Sequence, residues 1–542
     1  MDKKYIYQTE NRDWIEHKLG RELMIPVYGV HKDNNWDICV QSYLALPESV
    51  EKELETDTYD AKFGMPGITV YGSWESDEKV YSRWNNDDDH EPFIIKRDYN
   101  GLAPTSIEVV EEFRLLFNLY YNSQKNEYID MENDCTTVIK TADTGFICVH
   151  KRYLKTYLAL KNKIMIIHVD SRCINIGNSK KLVTDALAHY DLEEGVFYTV
   201  NIGNSRLGLK EENYSFLYAK KIIAGCELKN CNVWPYNQEK SYIDFILGVD
   251  ENGKELKYTC DPNKLSNYFG ANPSAPHYLT PVYFDSAVLN KYYSKPERYK
   301  VEDGIIKCGN LWGLYIDNHN QGYVSAYLGD LGRNLPSEQE QHYWRGFNKL
   351  IDGELSETKF NRDFLSIPTD SKSPDFVFKR TYASVNSEFN RKFGWPIFKD
   401  LDEQDLYNFE SLRVPINNSI VEMDMLVLSL VKVLLDSLNE KEITHQLIGE
   451  YEKLIGSISK LETWFSEKNL TDYQEHIKFL RNLQELRSAG TGHRKGKKYQ
   501  KISKVFDIQK ENYAETFSSI LDNATNFLKY IQSHIDNLLS SV

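Results

Sequence analysis

No apolar run in this chain is long enough to cross a bilayer. The longest, MLVLSLVKVLL from Met425, is about half of the roughly 20 residues a spanning helix needs, and it contains Lys432. It reads as a buried helix, and no membrane partner is expected. Cysteine is sparse, with eight in 542 residues, and only Cys226 and Cys231 lie close together, in CELKNC. One pair with four residues between lacks the paired elements of a structural zinc site, so no metal is expected. The opening MDKKYIYQTENRD has no secretory pattern, which makes reduced thiols and a cytoplasmic location the expectation. The glycines of YLGDLGRNLP come without the lysine of a phosphate-binding loop, and GxGxxG does not occur, so no nucleotide-hydrolysis motif and no cofactor are expected. A repeat of fixed period is missing too, which disfavours a solenoid. Basic charge is also short: 65 Lys and Arg against 80 Asp and Glu give a net charge of -15. That excludes a protein coating nucleic acid over its whole surface, and leaves room for local basic patches.

What is present describes a folded protein, with 41% hydrophobic residues and many tyrosines. The length exceeds one ordinary core, so two to four domains are expected. Up to about residue 400 the texture is short alternating runs divided by turn signals. DFILGVDENGKELKYTC carries Asn252-Gly253 between two such runs, the sequence of a tight hairpin. YKVEDGIIKCG and WGLYIDNHNQGYVSAYLGDLG repeat the pattern with Asp-Gly and Gln-Gly. RYLKTYLALKN between GFICV and KIMIIHVDS reads as strand, helix, strand, and Ser337 followed by Glu340 marks a further helix start. Residues 1–405 are therefore expected to form an α+β sensing or binding region, with room for two subdomains.

An acidic and then Asn- and Pro-rich stretch, 400–418, precedes an all-α C-terminal bundle expected over 419–542. SIVEMDMLVLSLVKVLLDSL is apolar nearly all round. Leu447, Tyr451, Leu454, Ile458, Leu461 and Phe465 make a seam at spacings of four and three, as expected of one helix. Ile477, Leu480 and Leu483 mark a third helix behind Thr471 or Asp472. Phe517, Leu521, Ala524, Leu528, Ile531, Ile535 and Leu538 mark a fourth.

The joint between the third and fourth helices is long, and it opens with ELRSAGTGHRKGKKYQK. Between Arg487 and Lys504 there are seven Lys or Arg and no Asp or Glu, in an otherwise acidic chain. A polyanion is the complement of that contrast. Arg487, four residues after Leu483, turns towards the apolar face, Gly490 and Gly492 end the helix, and His493 follows. Arginine with histidine suits RNA cleavage without a metal. The imidazole takes the proton of a ribose 2′-hydroxyl or protonates the leaving oxygen, and the guanidinium stabilises the phosphorane charge. The products would be a 2′,3′-cyclic phosphate and a 5′-hydroxyl. Arg494, Lys495, Lys497, Lys498 and Lys501 would hold the RNA backbone.

A helical bundle with arginine, a gap of five residues and histidine at the end of its third helix resembles the HEPN superfamily, over roughly the last 125 residues. Many of its members are ribonucleases of toxin and antiviral systems, commonly with Asn directly after the arginine, where this chain has Ser488. The resemblance implies catalysis by Arg487 and His493, a homodimer or higher homo-oligomer that assembles the site, and a role in bacterial stress or antiphage defence by abortive infection. The N-terminal region would then answer a phage-derived or nucleotide trigger. The alternative is a non-catalytic dimeric scaffold or nucleic-acid-binding protein using the same basic loop.

Weaker candidates remain. Arg333, His342 and Arg345 near a turn-to-helix junction could contact a ligand. NNDDDHEPF, residues 85–93, could hold a cation through its carboxylates and His90, although an acidic solvated loop is the simpler reading. DENGKELK lacks a nuclease's third carboxylate, because Asp244 lies on the order of 20 Å along its strand from the hairpin tip.

Overall fold

The computed structural model describes residues 11–539 apart from 34–35, 56–66, 73–76, 83–89, 98, 100, 143–144, 177–184, 208–209, 237–238, 352, 449–454, 491–494 and 510–511. The chain forms two compact units, Met1–Glu239 and Lys240–Val542. The change of texture at 400–418 therefore falls inside the second unit.

The first unit is built on an antiparallel sheet. Its main strands are β1 (Met24–Asp33), β2 (Trp36–Ala45), β3 (Tyr120–Asn122), β4 (Glu127–Asp130), β5 (Thr136–Thr141), β6 (Ile147–His150), β7 (Ile164–Ile176), β8 (Asp185–Asp191), β9 (Val196–Leu207) and β10 (Lys210–Ile223). They lie in the order β8-β9-β10-β7-β2-β1-β6-β5-β4-β3, and the short strand Glu91–Pro92 pairs with β2. Helix α1 (Lys151–Lys161) runs between β6 and β7, the strand, helix, strand succession expected from sequence. Period-two alternation assigns the faces of β7. Met165, Ile167 and Val169 join Leu154 and Leu158 of α1 in one core, while Ile164 and Ile166 pack on the other face with Tyr43 and Ala45.

That second face also buries a polar knot. Glu53 accepts from Tyr43 Oη at 2.6 Å, its Oε1 lies 2.7 Å from His90 Nε2, and its backbone carbonyl accepts from Lys220 Nζ at 2.8 Å. Burial opposes ionisation of Glu53, but the His90 and Tyr43 hydrogen bonds outweigh it and hold the carboxyl down at about 2. His90 is thus an interior partner and not a ligand on an acidic surface loop. Residues 85–89 of that loop lie outside the described residues.

The second unit begins with the hairpin β11 (Asp244–Val249) and β12 (Glu255–Thr259). Its turn is the expected one: Asp250 and Lys254 bond across it, and Gly253 takes φ +78°, open to glycine at no steric cost. β13 (Pro281–Asp285) precedes β14 (Tyr299–Glu302), β15 (Ile305–Cys308) and β16 (Trp312–Tyr315), which form a meander with Asp303-Gly304 at its first turn. β17 (Tyr323–Tyr327) meets the third expected hairpin only in part: Asp317 and Ser325 exchange backbone bonds of 2.7 and 3.1 Å across Gly322, while the strand's full register is with β13. Local turn chemistry gave one bridge, and a strand about 40 residues upstream in sequence took the longer ladder. Helix α2 (Leu328–Asn334) follows, and α3 (Glu338–Gly346) starts where Ser337 caps the Glu340 N–H, as expected. Gly332 lets α2 approach the chain at residue 260, where a Cβ would stand 1.8 Å from the Cys260 carbonyl oxygen.

After α4 (Glu357–Asp363) comes the helical region: α5 (Pro374–Phe393), α6 (Ile420–Val431) continued by a π-helical segment Lys432–Asp436, α7 (Glu440–His445), α8 (Ser457–Glu467), α9 (Tyr473–Gly490), α10 (Lys497–Val505) and α11 (Tyr513–Leu539). The seam residues of α11, from Phe517 to Leu538, are all buried, as are Ile477, Leu480 and Leu483 of α9. Three expectations need correction. The helical core starts upstream of 419, since α5 contributes Phe378, Val385 and Phe389 to it. The expected single helix over 447–465 is interrupted: α8 starts only after Gly456, whose φ of +85° breaks a helix, and Tyr451 and Leu454 lie outside the described residues. The basic joint is not all loop, because α10 forms within it. None of the described helices is long and apolar enough to cross a membrane.

Candidate active site

Arg487 occupies the last turn of α9, and the spacing from Leu480 and Leu483 carries it to the side that packs on α6. A charge turned to a packing face needs a partner. Asp436, at the end of the π segment, supplies one: Arg487 Nη2 donates to Asp436 Oδ2 at 3.1 Å, with the guanidinium side chain 34% exposed. α9 is described as far as Gly490, and residues 491–494, with the second glycine expected to end it and with His493 and Arg494, lie outside the described residues.

The chain is described again from Lys495, whose ammonium lies 2.7 Å from Asp424 of α6 and over the Tyr499 ring, 4.7 Å from its centroid. Burial and Asp424 push the Tyr499 hydroxyl up to about 12. α10 follows because KKYQKISKVF is amphipathic at helical spacing. Tyr499, Ile502 and Phe506 turn inward, with Phe506 edge-on to Phe479 of α9, while Lys497, Lys498, Lys501 and Lys504 face out. Every charged side chain of this helix is positive. Lys497, Lys498 and Lys501 take part in no ion pair among the described residues. Together with Arg481, Gln484, Glu485 and Ser488 of α9, Lys497 and Lys498 line a cleft of about 680 Å³, so one carboxylate stands among its cations. Arg481 is paired with Glu462 on α8. The arrangement places a guanidinium at a helix end and ammonium groups around an adjoining cleft, which can bind an anionic chain and steady developing negative charge.

The three weaker candidates are engaged separately. Exposed His342 lies 3.4 Å from Glu338 one turn earlier on α3, Arg345 donates to the Asp244 carbonyl at 3.0 Å, and the Arg333 side chain hydrogen-bonds the Tyr278 hydroxyl. Arg345 and Arg333 tie their helices to neighbouring segments, His342 pairs only within its own helix, and the three share no partner.

A cluster that sequence reasoning missed surrounds His319. Its Nε2 lies 2.6 Å from Asp303 Oδ1 and its Nδ1 2.8 Å from Asp317 Oδ1. Arg362 grips Asp303 with two hydrogen bonds, and Ser356 donates both its N–H and its hydroxyl to Asp317. Burial alone would lower the His319 pKa, but the two carboxylates outweigh it and raise it above its ordinary value. An imidazolium donating from both nitrogens is no general base, and the Ser356 hydroxyl is spent on Asp317. The group is a staple between the β14-β15 turn and α4. It borders a cavity of about 640 Å³ whose wall also carries Arg413, paired with Glu422 at 2.7 Å, and Lys372, paired with Glu357 at 2.8 Å. The only sequence signal was a histidine among Asn and Asp in a turn. Asp317 is two residues away, and the other partners come from positions 16 to 43 residues away. Among the described residues no group of His, Cys, Asp or Glu is arranged to hold a metal ion.

No protein-family model matches the chain, and neither a curated protein nor a solved structure matches it.

Proposed function

We propose that the protein is a metal-independent endoribonuclease of a bacterial stress or antiphage defence type, HEPN-like in its helical region, in which Arg487 and His493 cleave RNA. The observation that carries this reading is the joint itself. A guanidinium oriented by Asp436 stands at the end of α9, and an all-positive helix beside it lines a cleft in a chain of net charge -15. His493 acts on the 2′-hydroxyl or the leaving oxygen, Arg487 stabilises the phosphorane, and the lysines of α10 bind flanking phosphates. Two copies of the chain bring their sites together, and the first unit, with the α+β part of the second, answers the trigger.

The test uses labelled total RNA with EDTA, the wild-type chain and the Arg487→Ala and His493→Ala variants. Metal-independent cuts ending in 2′,3′-cyclic phosphate, lost in both variants, are expected, along with growth arrest on overexpression and a dimer in sedimentation. If neither cleavage nor toxicity appears under activating conditions, the reading fails. The exposed lysines of α10 favour a second reading, a scaffold that only holds nucleic acid. It predicts RNA binding that survives both substitutions with no cleavage at all.

A further inference from the structure

Both cations that flank the end of α9 are held by aspartates of one helix. Arg487 pairs with Asp436 at 3.1 Å and Lys495 with Asp424 at 2.7 Å. The two aspartates are twelve positions apart, which at about 100° per residue would leave them roughly 120° apart around a regular α-helix. The last five residues, Lys432–Asp436, are π-helical. That wider turn, at roughly 82° per residue, brings them to within about 30° of one another. The π segment thus puts both carboxylates on the side of α6 that meets α9.

Asp424 does a second thing. A Cβ at Gly490 would stand 3.3 Å from Asp424 Oδ1, so the end of α9 abuts the same carboxylate that holds Lys495. α10, which starts two residues after Lys495, is docked on α9 from that point, with Tyr499 stacked under the Lys495 ammonium. Nothing in the cleft chemistry proposed above requires a carboxylate, and an RNA backbone would be repelled by one. Two aspartates placed beside the cations by an irregular helix turn therefore point to orientation and not to substrate binding.

We infer that Asp436 and Asp424 are positioning residues. Asp436 fixes the guanidinium of Arg487 at the end of α9, and Asp424 docks the Lys495 end of α10 against Gly490, which sets the cleft. The catalytic consequence rests on the ribonuclease reading, whereas the docking does not.

Two assays on the full chain separate these. In RNA cleavage, Asp436→Asn lowers kcat by about tenfold or more while KM stays level or falls, because a repulsive charge is gone, and Asp436→Glu restores part of the rate. In limited trypsin digestion, Asp424→Asn and Lys495→Gln each speed cutting after Lys497 and Lys498 at an unchanged melting temperature, and the double variant goes no further than either alone. A wild-type kcat in Asp436→Asn overturns the first role, and wild-type digestion rates in Asp424→Asn overturn the second. Should the wild-type chain cut no RNA under activating conditions, the ribonuclease reading falls and the Asp436 role with it, while the digestion still decides the docking.

Discussion

Replacing His319 by alanine removes a buried cation from between two carboxylates, and the size of the loss follows from the geometry. The imidazole is 5% exposed and Asp317 is fully buried. Two charge-assisted hydrogen bonds, of 2.6 and 2.8 Å, disappear. Asp303 keeps Arg362, whereas Asp317 keeps the Ser356 donors and the backbone N–H of residue 319 but loses its counter-charge. Breaking a buried pair in this way costs about 3 to 5 kcal/mol. The pH dependence has a defined sign. His319 has a raised pKa, so its contribution is complete below its unfolded value, about 6.5, and is lost as pH rises through the higher folded value. Asp303 and Asp317 are lowered despite burial, because His319 and their other donors bond the ionised form. Their contribution is present above about pH 4 and lost as pH falls towards their folded values. The difference between wild type and His319→Ala, read from urea midpoints of the second unit, should therefore be largest between about pH 4.5 and 6.5 and shrink on the alkaline side. A loss under about 1 kcal/mol at pH 6, or one that stays flat up to about pH 9, would refute the staple.

Other substitutions test other parts of the molecule. Gly332→Ala should destabilise the second unit by about 3 kcal/mol or more, because its Cβ would overlap the Cys260 carbonyl and α2 must move; an unchanged midpoint contradicts that approach. Glu53→Gln should cost the first unit about 2 to 3 kcal/mol at neutral pH through its His90 and Tyr43 bonds. With the carboxyl held at about 2, that contribution persists above the unfolded value near 4.3 and fades as pH falls towards 2, which acid titrations of both proteins would follow. On the RNA reading, the double change Lys497→Gln and Lys498→Gln should weaken RNA binding across sequences and reduce the salt slope of log K by about 1.4 for a single strand, two phosphates at about 0.7 each. An unchanged slope removes these lysines from the interface.

The elements legible in the sequence were those whose evidence is local. The Ser337 cap, the Asn252-Gly253 turn, the strand, helix, strand run around α1 and the seams of α9 and α11 each rest on residues within one or two turns of each other. The helix α5 was equally readable, with Pro374 at its start, Phe378, Val385 and Phe389 on one side and the left-handed Gly394 at its end. Its position before the acidic stretch concealed it. α10 was concealed by its lysines, which read as a solvated loop until Tyr499, Ile502 and Phe506 are seen to share a side. The single helix expected over 447–465 shows the opposite error, an apolar seam that continues across Gly456 while the backbone does not.

By itself the sequence determined the α+β and helical halves of the order, the seams of α9 and α11, and the charge contrast of the joint between them, because periodicity, turn chemistry and composition act over short distances. Tertiary structure alone decided which groups meet. It gave β17 to β13, turned Asp436 and Asp424 to one side through a π segment, enclosed His90 and Glu53 together, and closed two carboxylates on His319. Apart from Asp317 and His319, which are two positions apart, those pairings join residues from 16 to 167 positions apart, and side chains so distant are brought together only by the packing of whole elements.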